Sequence, residues 1–280
     1  MTLPIDQIIV GDCLEVMKDW PDGCIPLTVT SPPYDDLRDY KGYKFDFEGI
    51  AKELYRITKD GGVLVWVVDD KKTNGSESGT SLKQALYFMS IGFNLHDKMI
   101  YEAKNGSMGA YNEYLQCWEF MFVFAKGKIE TVNLLRDRKN VVHGDKSTPK
   151  RGRDKDGTLA ERHIVDRDIY GRRKNIWRYP VGGKQELGNH PAIFPEQLAA
   201  DHIVSWSNEG DIVFDPMCGS GTTPKQARRL SRIPIGIDIS EEYCNIARQR
   251  LEAVDTGVPV KEQKKGQRPL FPVDKDSGSC

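Results

Sequence analysis

Residues 212–238 read IVFDPMCGSGTTPKQARRLSRIPIGID. A short apolar run ends on Asp215, and a glycine-bearing loop follows at Gly219 and Gly221. A helix-compatible stretch then leads into a second apolar run that ends on Asp238, 23 residues after Asp215. Strand, glycine loop, helix, strand and acid is the order by which an open α/β sheet holds a nucleotide: glycines admit close approach of the backbone, and the second acid accepts hydrogen bonds from ribose hydroxyls. A dinucleotide fingerprint would place a third glycine at position 224, which is Pro224, and no GxxxxGK[ST] is present. The loop is therefore not expected to cradle a pyrophosphate. A loop headed by Asp215 suits instead a ligand with a cationic ammonium or sulfonium end and an adenosine end, as in S-adenosyl-L-methionine (SAM).

Outward from this unit, apolar runs bounded by turn residues predict seven strands: Gln7–Val10, Leu27–Thr30, Val63–Val68, Lys98–Glu102, Phe120–Ala125, Ile212–Asp215 and Pro234–Asp238. Helical spacing of Ile50, Leu54 and Ile57 predicts a helix over Phe47–Thr58, stopped by Lys59-Asp60-Gly61-Gly62. Ser240 is placed to cap a helix over Glu241–Val254, with Tyr243, Ala247, Leu251 and Val254 on one stripe. Alternating strands and helices predict an α/β fold with a mostly parallel sheet. The polar stretch Asp69–Ser81 reads as a mobile loop.

Thr30-Ser31-Pro32-Pro33-Tyr34 follows the second predicted strand directly. Two prolines stop the strand and hold an extended turn. They fix the Ser31 hydroxyl and the neighbouring carbonyls beside an aromatic ring. Such a turn suits a planar substrate, stacked on Tyr34, whose exocyclic amine meets acceptors.

The 280 residues carry 40 Lys+Arg against 41 Asp+Glu, which excludes a polycationic tail protein, and 39% are hydrophobic. Mean hydropathy is −0.53. The longest apolar runs, Val63–Val68 and Phe120–Ala125, are far short of the roughly 20 residues of a membrane span. The N-terminus has no signal-peptide pattern, so a soluble cytoplasmic protein is expected. Six scattered cysteines and five dispersed histidines show no metal-ligand spacing, so no metal is expected and the cysteines read as reduced packing residues. His190 and His202 read as structural. Residues 128–178 hold 15 Lys/Arg against 8 Asp/Glu and few large apolar side chains before Ile176-Trp177. This stretch reads as an arm facing polyanionic phosphate.

TSPPY (30–34), FDPMCGSGTT (214–223) and HPAIFPEQLA (190–199) resemble the motifs of the DNA amino-methyltransferases, which methylate exocyclic amines of cytosine or adenine. The resemblance covers most of residues 5–126 and 190–254. With the catalytic motif first and the SAM loop last, it points to the permuted beta class. It implies a Rossmann-like SAM-methyltransferase fold with a seven-stranded sheet, circularly permuted. The domains expected are a catalytic half over 1–127, an inserted basic target-recognition region over 128–189, a SAM-binding half over 190–256, and a polar tail over 257–280.

The resemblance assigns Ser31, Pro32, Pro33 and Tyr34 to catalysis on the target base. It assigns Asp215, Gly219, Ser220, Gly221 and Thr222 to the methionine end of SAM and Asp238 to its ribose, and it counts Thr30, Pro216, Met217 and Cys218 among the cofactor-binding residues. Asp12 and Cys13 fall at the adenine contact, and Phe194 packs on the cofactor. Met217 stands where the family usually has Phe, and Asp238 where Glu is also common. Arg136, Arg138, Lys139, Lys150, Arg151, Arg153, Arg172, Arg173 and Lys174 are candidates for contacts to double-stranded DNA.

Chemically, an exocyclic amine is a poor nucleophile because its lone pair is delocalised into the ring. If Ser31 and the Pro33 carbonyl accept its protons, the lone pair turns towards the methyl group, and positioning does most of the work of a direct displacement. The chain has no Pro-Cys pair of the kind used for ring-carbon methylation. In the family, serine at the position of Ser31 goes mostly with cytosine and aspartate mostly with adenine. The expectation is therefore N4-cytosine, with N6-adenine, RNA or a protein amide as alternative substrates and a non-catalytic DNA-binding module as another reading. A cognate restriction endonuclease, a homodimer, and a bacterial or phage source are left open.

Overall fold

The structure, a computed structural model, describes residues 3–33, 45–103, 114–140, 168–180 and 195–257. In chain order the elements are β1 (Gln7–Val10), α1 (Cys13–Lys18), β2 (Ile25–Thr30), α2 (Phe47–Ile57), β3 (Thr58–Val68), β4 (Lys72–Thr73), β5 (Ser76–Glu77), α3 (Thr80–Ser90), β6 (Asn94–Ala103), β7 (Trp118–Ala125), β8 (Arg138–Lys139), β9 (Tyr170–Gly171), β10 (Ile176–Tyr179), α4 (Glu196–Trp206), β11 (Ile212–Asp215), α5 (Thr222–Arg229), β12 (Ile233–Asp238) and α6 (Glu241–Thr256). The chain divides into two compact units, Leu134–Lys174 and the remainder.

In the larger unit eight strands lie in the order β1-β12-β11-β2-β3-β7-β6-β10. Among these eight, β7 runs against the rest, antiparallel to β3 and β6, while the other neighbouring pairs are parallel. All seven expected strands are present. The eighth, β10, was read as part of the basic insertion. Its four residues alternate exposed and buried as an edge strand does. Its inward side chains are tied down, with the Trp177 ring 4.5 Å from that of His202 and the Tyr179 hydroxyl donating to Asp201 Oδ2 at 2.5 Å.

Sheet pleating puts Leu64, Trp66 and Val68 of β3 on one face, where they meet Met17 of α1, Ile50, Leu54 and Ile57 of α2 and Phe88 of α3. The Trp66 indole finds a buried acceptor in Gln84 at 2.8 Å, so the largest core side chain carries no orphaned donor. On the opposite face, Met121 of β7, the cross-strand partner of Val67, meets His202 of α4 at 3.3 Å. His202 is fully buried and also accepts from the Trp206 indole, which fits its structural reading. His190 lies outside the described residues.

The stretch Asp69–Ser81 is built rather than loose. β4 and β5 pair as a short hairpin. Asp70 accepts from Ser78 Oγ, from the Ser81 amide at 2.9 Å and from Ser81 Oγ at 2.5 Å. Polarity alone did not reveal that one carboxylate gathers the segment.

The connections explain where a ligand can enter. From β2 the chain passes through α2 to β3, and from β11 through α5 to β12, so the two adjacent strands send their crossovers in opposite directions. The boundary between β2 and β11 is a topological switch point, and the crevice of such a sheet opens at the carboxyl ends of these strands.

In the smaller unit β8 and β9 pair antiparallel. Arg136 pairs with Asp168 at 2.8 Å, Arg173 Nε donates to Asp137 at 2.7 Å, and Asn140 Nδ2 donates to the Asp168 carbonyl at 2.8 Å. Among the described residues no helix is long and apolar enough to cross a membrane.

Candidate functional site: the carboxyl ends of β2, β11, β12 and β1

β2 ends on Thr30 and β11 on Asp215. Thr30 Oγ1 donates to Asp215 Oδ1 at 2.7 Å, both groups buried, so the two strand ends are clasped across the switch point. The next residues along β2 are Ser31, buried Pro32 and Pro33, which begin the proline turn. The serine is thus one residue from the head of the glycine loop. Tyr34 lies outside the described residues.

Four amides of the loop after Asp215 donate within the protein. The Met217 amide donates back to Asp215 Oδ1 at 3.1 Å, that of Cys218 to the Ile237 carbonyl at 2.8 Å, and that of Gly219 to Asp238 Oδ2 at 2.9 Å. Gly221 donates to the Cys218 carbonyl at 2.8 Å, closing a tight turn with Gly219 at φ +50° in its first central position. A phosphate nest needs free, convergent amides. This loop presents acids and oxygens instead, as a cationic ligand requires.

Gly221 cannot be replaced here. Its φ is +81°, and a Cβ would lie 2.5 Å from the Cβ of Ala247 on α6. Pro224, in place of the third glycine, sits buried in the first turn of α5, where an amide has no intrahelical acceptor. Its ring instead meets Gly236 of β12, where an added Cβ would lie 3.1 Å from Pro224 Cγ. Close helix–strand packing is preserved with the glycine on the strand.

Two acids differ in character. Asp215 is buried, and burial pushes its carboxyl up to about 7, against the hydrogen bonds from Thr30 and the Met217 amide that favour the ion. Asp238 is held by backbone: Oδ2 accepts from Gly219 and Oδ1 from the Ser240 amide at 2.8 Å. These backbone amides orient the carboxylate at the strand end.

At the neighbouring strand end, the Gly11 amide donates to the Asp238 carbonyl at 2.9 Å, bringing Asp12 and Cys13 alongside. The Asp12 carboxylate caps α1 through the Leu14 amide at 2.8 Å. Burial pushes the Cys13 thiol up to about 12 and raises Cys218 well above its usual value, which disfavours the thiolate at both. Cys13, Cys24, Cys117, Cys218 and Cys244 are all free. No cluster of three or more His, Cys, Asp or Glu side chains able to hold a metal occurs among the described residues.

The family model described as DNA methylase matches residues 25–249. The chain belongs to this family. It is 54% identical over 250 residues, 87% of this chain and 91% of the relative, to the orphan methyltransferase M.BamHII of Bacillus amyloliquefaciens. In fold it is similar to the cytosine-N4-specific PvuII DNA methyltransferase, with a TM-score of 0.66 and 19% identity, covering 92% of this chain and 89% of that one. It is similar also to M1.HpyAVI in complex with SAM, with a TM-score of 0.57 and 25% identity, covering 88% and 99%.

The chain is therefore a SAM-dependent DNA amino-methyltransferase of α/β methyltransferase fold. In this methyltransferase, Thr30, Ser31, Asp215, Met217, Gly219 and Asp238 come together at one sheet edge. Phe194, Lys150, Arg151 and Arg153 lie outside the described residues. Arg136, Arg138, Lys139, Arg172, Arg173 and Lys174 belong to the smaller unit. Two residues beneath the loop, Glu196 and Arg250, escaped the sequence reading. A charged Arg250 three places after Ala247 falls on the buried arc of α6, and that helical spacing was the available signal.

Proposed function

We propose that the protein is a site-specific DNA methyltransferase that transfers the SAM methyl group to N4 of a cytosine flipped out of duplex DNA. The observation that carries this reading is the Thr30–Asp215 hydrogen bond, which ties the Ser31 turn to the loop assigned to SAM. Bound there, SAM supplies a methyl group activated on a sulfonium.

The residues do the rest. Asp215, as a carboxylate, faces the cationic end of the ligand, and Asp238 accepts from its ribose. Ser31 and the Pro33 carbonyl accept hydrogen bonds from the amine and turn the nitrogen lone pair towards the methyl, and the one proton the nitrogen gives up on transfer passes to solvent. The proline turn fixes these acceptors before the base arrives, so little reorganisation remains at the moment of transfer. The Tyr34 ring stacks on the extruded base and offsets part of the few kcal/mol that flipping costs.

A serine at position 31, with a hydroxyl that donates and accepts, supports cytosine over adenine. The basic residues of the 128–189 segment supply the DNA contacts. M.BamHII is an orphan enzyme, which supports a methyltransferase acting without a cognate endonuclease.

The test is to incubate the protein with methyl-labelled SAM and unmodified DNA, digest, and identify the labelled nucleoside by mass spectrometry. N4-methyldeoxycytidine is expected. N6-methyldeoxyadenosine would overturn the base assignment, and label in RNA or protein alone would overturn the DNA reading.

A further inference from the structure

A guanidinium lies beneath the glycine loop with only 2% of its side chain exposed. Arg250 of α6 donates through Nη1 to the Ser220 carbonyl at 2.8 Å and reaches Ser220 Oγ and Thr222 Oγ1 at 3.3 Å. Through Nη2 it donates to Glu196 Oε1 at 2.7 Å, while its buried Nε has no hydrogen-bond partner among the described residues.

Glu196, at the start of α4, also accepts from Lys225 at 2.6 Å and Gln226 at 2.9 Å of α5. Its burial opposes ionisation, but Lys225 and Arg250 outweigh it and hold the carboxyl below its usual range.

Removing a guanidinium from water is costly, and an apolar side chain often serves packing as well or better. What an apolar side chain cannot do is grip a carbonyl. The Ser220 carbonyl sits between Gly219 and Gly221, both at positive φ, where the peptide plane has wide freedom. Arg250 removes that freedom before any ligand arrives, and Glu196 fixes the guanidinium in turn. Binding then costs less ordering entropy.

We propose that Arg250, oriented by Glu196, is a positioning residue that presets the Gly219–Thr222 loop for SAM. This rests on the assignment of that loop to SAM. The residue touches neither the methyl group nor the base, so its effect falls on SAM binding rather than on the transfer step.

The experiment measures KM for SAM, KM for DNA, kcat and the melting temperature for Arg250→Met, Arg250→Lys and Glu196→Gln. Arg228→Met is the control, because Arg228 pairs with Asp6 and Asp255, away from the loop. Arg250→Met is expected to raise KM for SAM at least tenfold with kcat and KM for DNA within threefold. Arg250→Lys, which keeps the charge but not the planar fork, falls between it and wild type. Arg228→Met leaves KM for SAM within twofold even if it melts earlier.

Should Arg250→Met not fold, Arg250→Lys carries the test, with a rise of at least threefold in KM for SAM. The proposal is overturned if the Arg250 variants lower the melting temperature while KM for SAM stays within twofold, or if Arg228→Met raises that KM as much. Asp215→Asn is measured alongside. If it binds SAM like wild type, the loop assignment itself has failed, a result distinct from a silent Arg250.

Discussion

Thr30 and Asp215, 185 residues apart in sequence, are joined by a buried 2.7 Å hydrogen bond at the ends of two adjacent parallel strands. The bond couples the Ser31 turn to the glycine loop, and its donor favours the ionised form of a carboxylate that burial disfavours. Thr30→Val keeps the shape and removes the donor. A buried hydrogen bond to a charged group contributes roughly 1.5–3 kcal/mol. SAM affinity is expected to fall by about one to two orders of magnitude at pH 7, with partial recovery at pH 8.5, measured by titration calorimetry.

With SAM bound at Asp215 as proposed, the raised carboxyl should make SAM binding depend on pH. Near pH 6 the group is largely protonated and cannot pair with a cation, so affinity should climb through about 7 and level off above it. Stability moves oppositely. The folded state keeps its proton between the ordinary carboxyl value of 3.8 and about 7, so the group's contribution to stability declines across that window and is constant above it. Asp215→Asn removes the buried charge. It should melt higher than wild type at pH 8, by roughly 1–3 kcal/mol of stability, with the advantage gone near pH 4, while SAM no longer shifts its melting temperature.

Gly221→Ala meets two obstacles, a left-handed backbone and Ala247 Cβ at 2.5 Å. The variant is expected to lose roughly 2 kcal/mol or more and to fail to saturate with SAM. Adding Ala247→Gly relieves the contact with that Cβ, but Ala247 Cα at 2.9 Å and the positive φ remain. The double variant should regain stability only in part in denaturant titration.

In the smaller unit the arginines divide by their partners. Arg173 holds Asp137 and Arg136 holds Asp168, whereas Lys139 and Arg172 are exposed on and beside the β8–β9 hairpin. Lys139→Ala and Arg172→Ala should each weaken DNA binding and reduce the slope of log affinity against log salt by about 1. Arg173→Ala should act first on stability. Fluorescence anisotropy across a salt series separates these outcomes.

The sheet was legible because its strands are apolar runs bounded by turns, and the helix from Glu241 because Ser240 caps it, accepting from the Tyr243 amide. β10 was not, because four alternating residues in a basic stretch carry no run to detect. The glycine loop showed in sequence by its composition, and Gly221 answers to Ala247. Arg250 showed only in its spacing from Ala247 on the buried arc of α6, because a sequence marks an arginine as charged and cannot say that a carbonyl and a glutamate await it. Asp215 was visible as an acid, but its altered ionisation depends on burial that only packing supplies.

Ser31, as proposed, acts in methyl transfer at a turn joined through Thr30 to the glycine loop. Single-turnover transfer from enzyme-bound, methyl-labelled SAM to duplex DNA tests this directly in Ser31→Ala. SAM and DNA affinities are expected within threefold of wild type, with a transfer rate reduced by about a hundredfold or more. A transfer rate within a few-fold of wild type would contradict it.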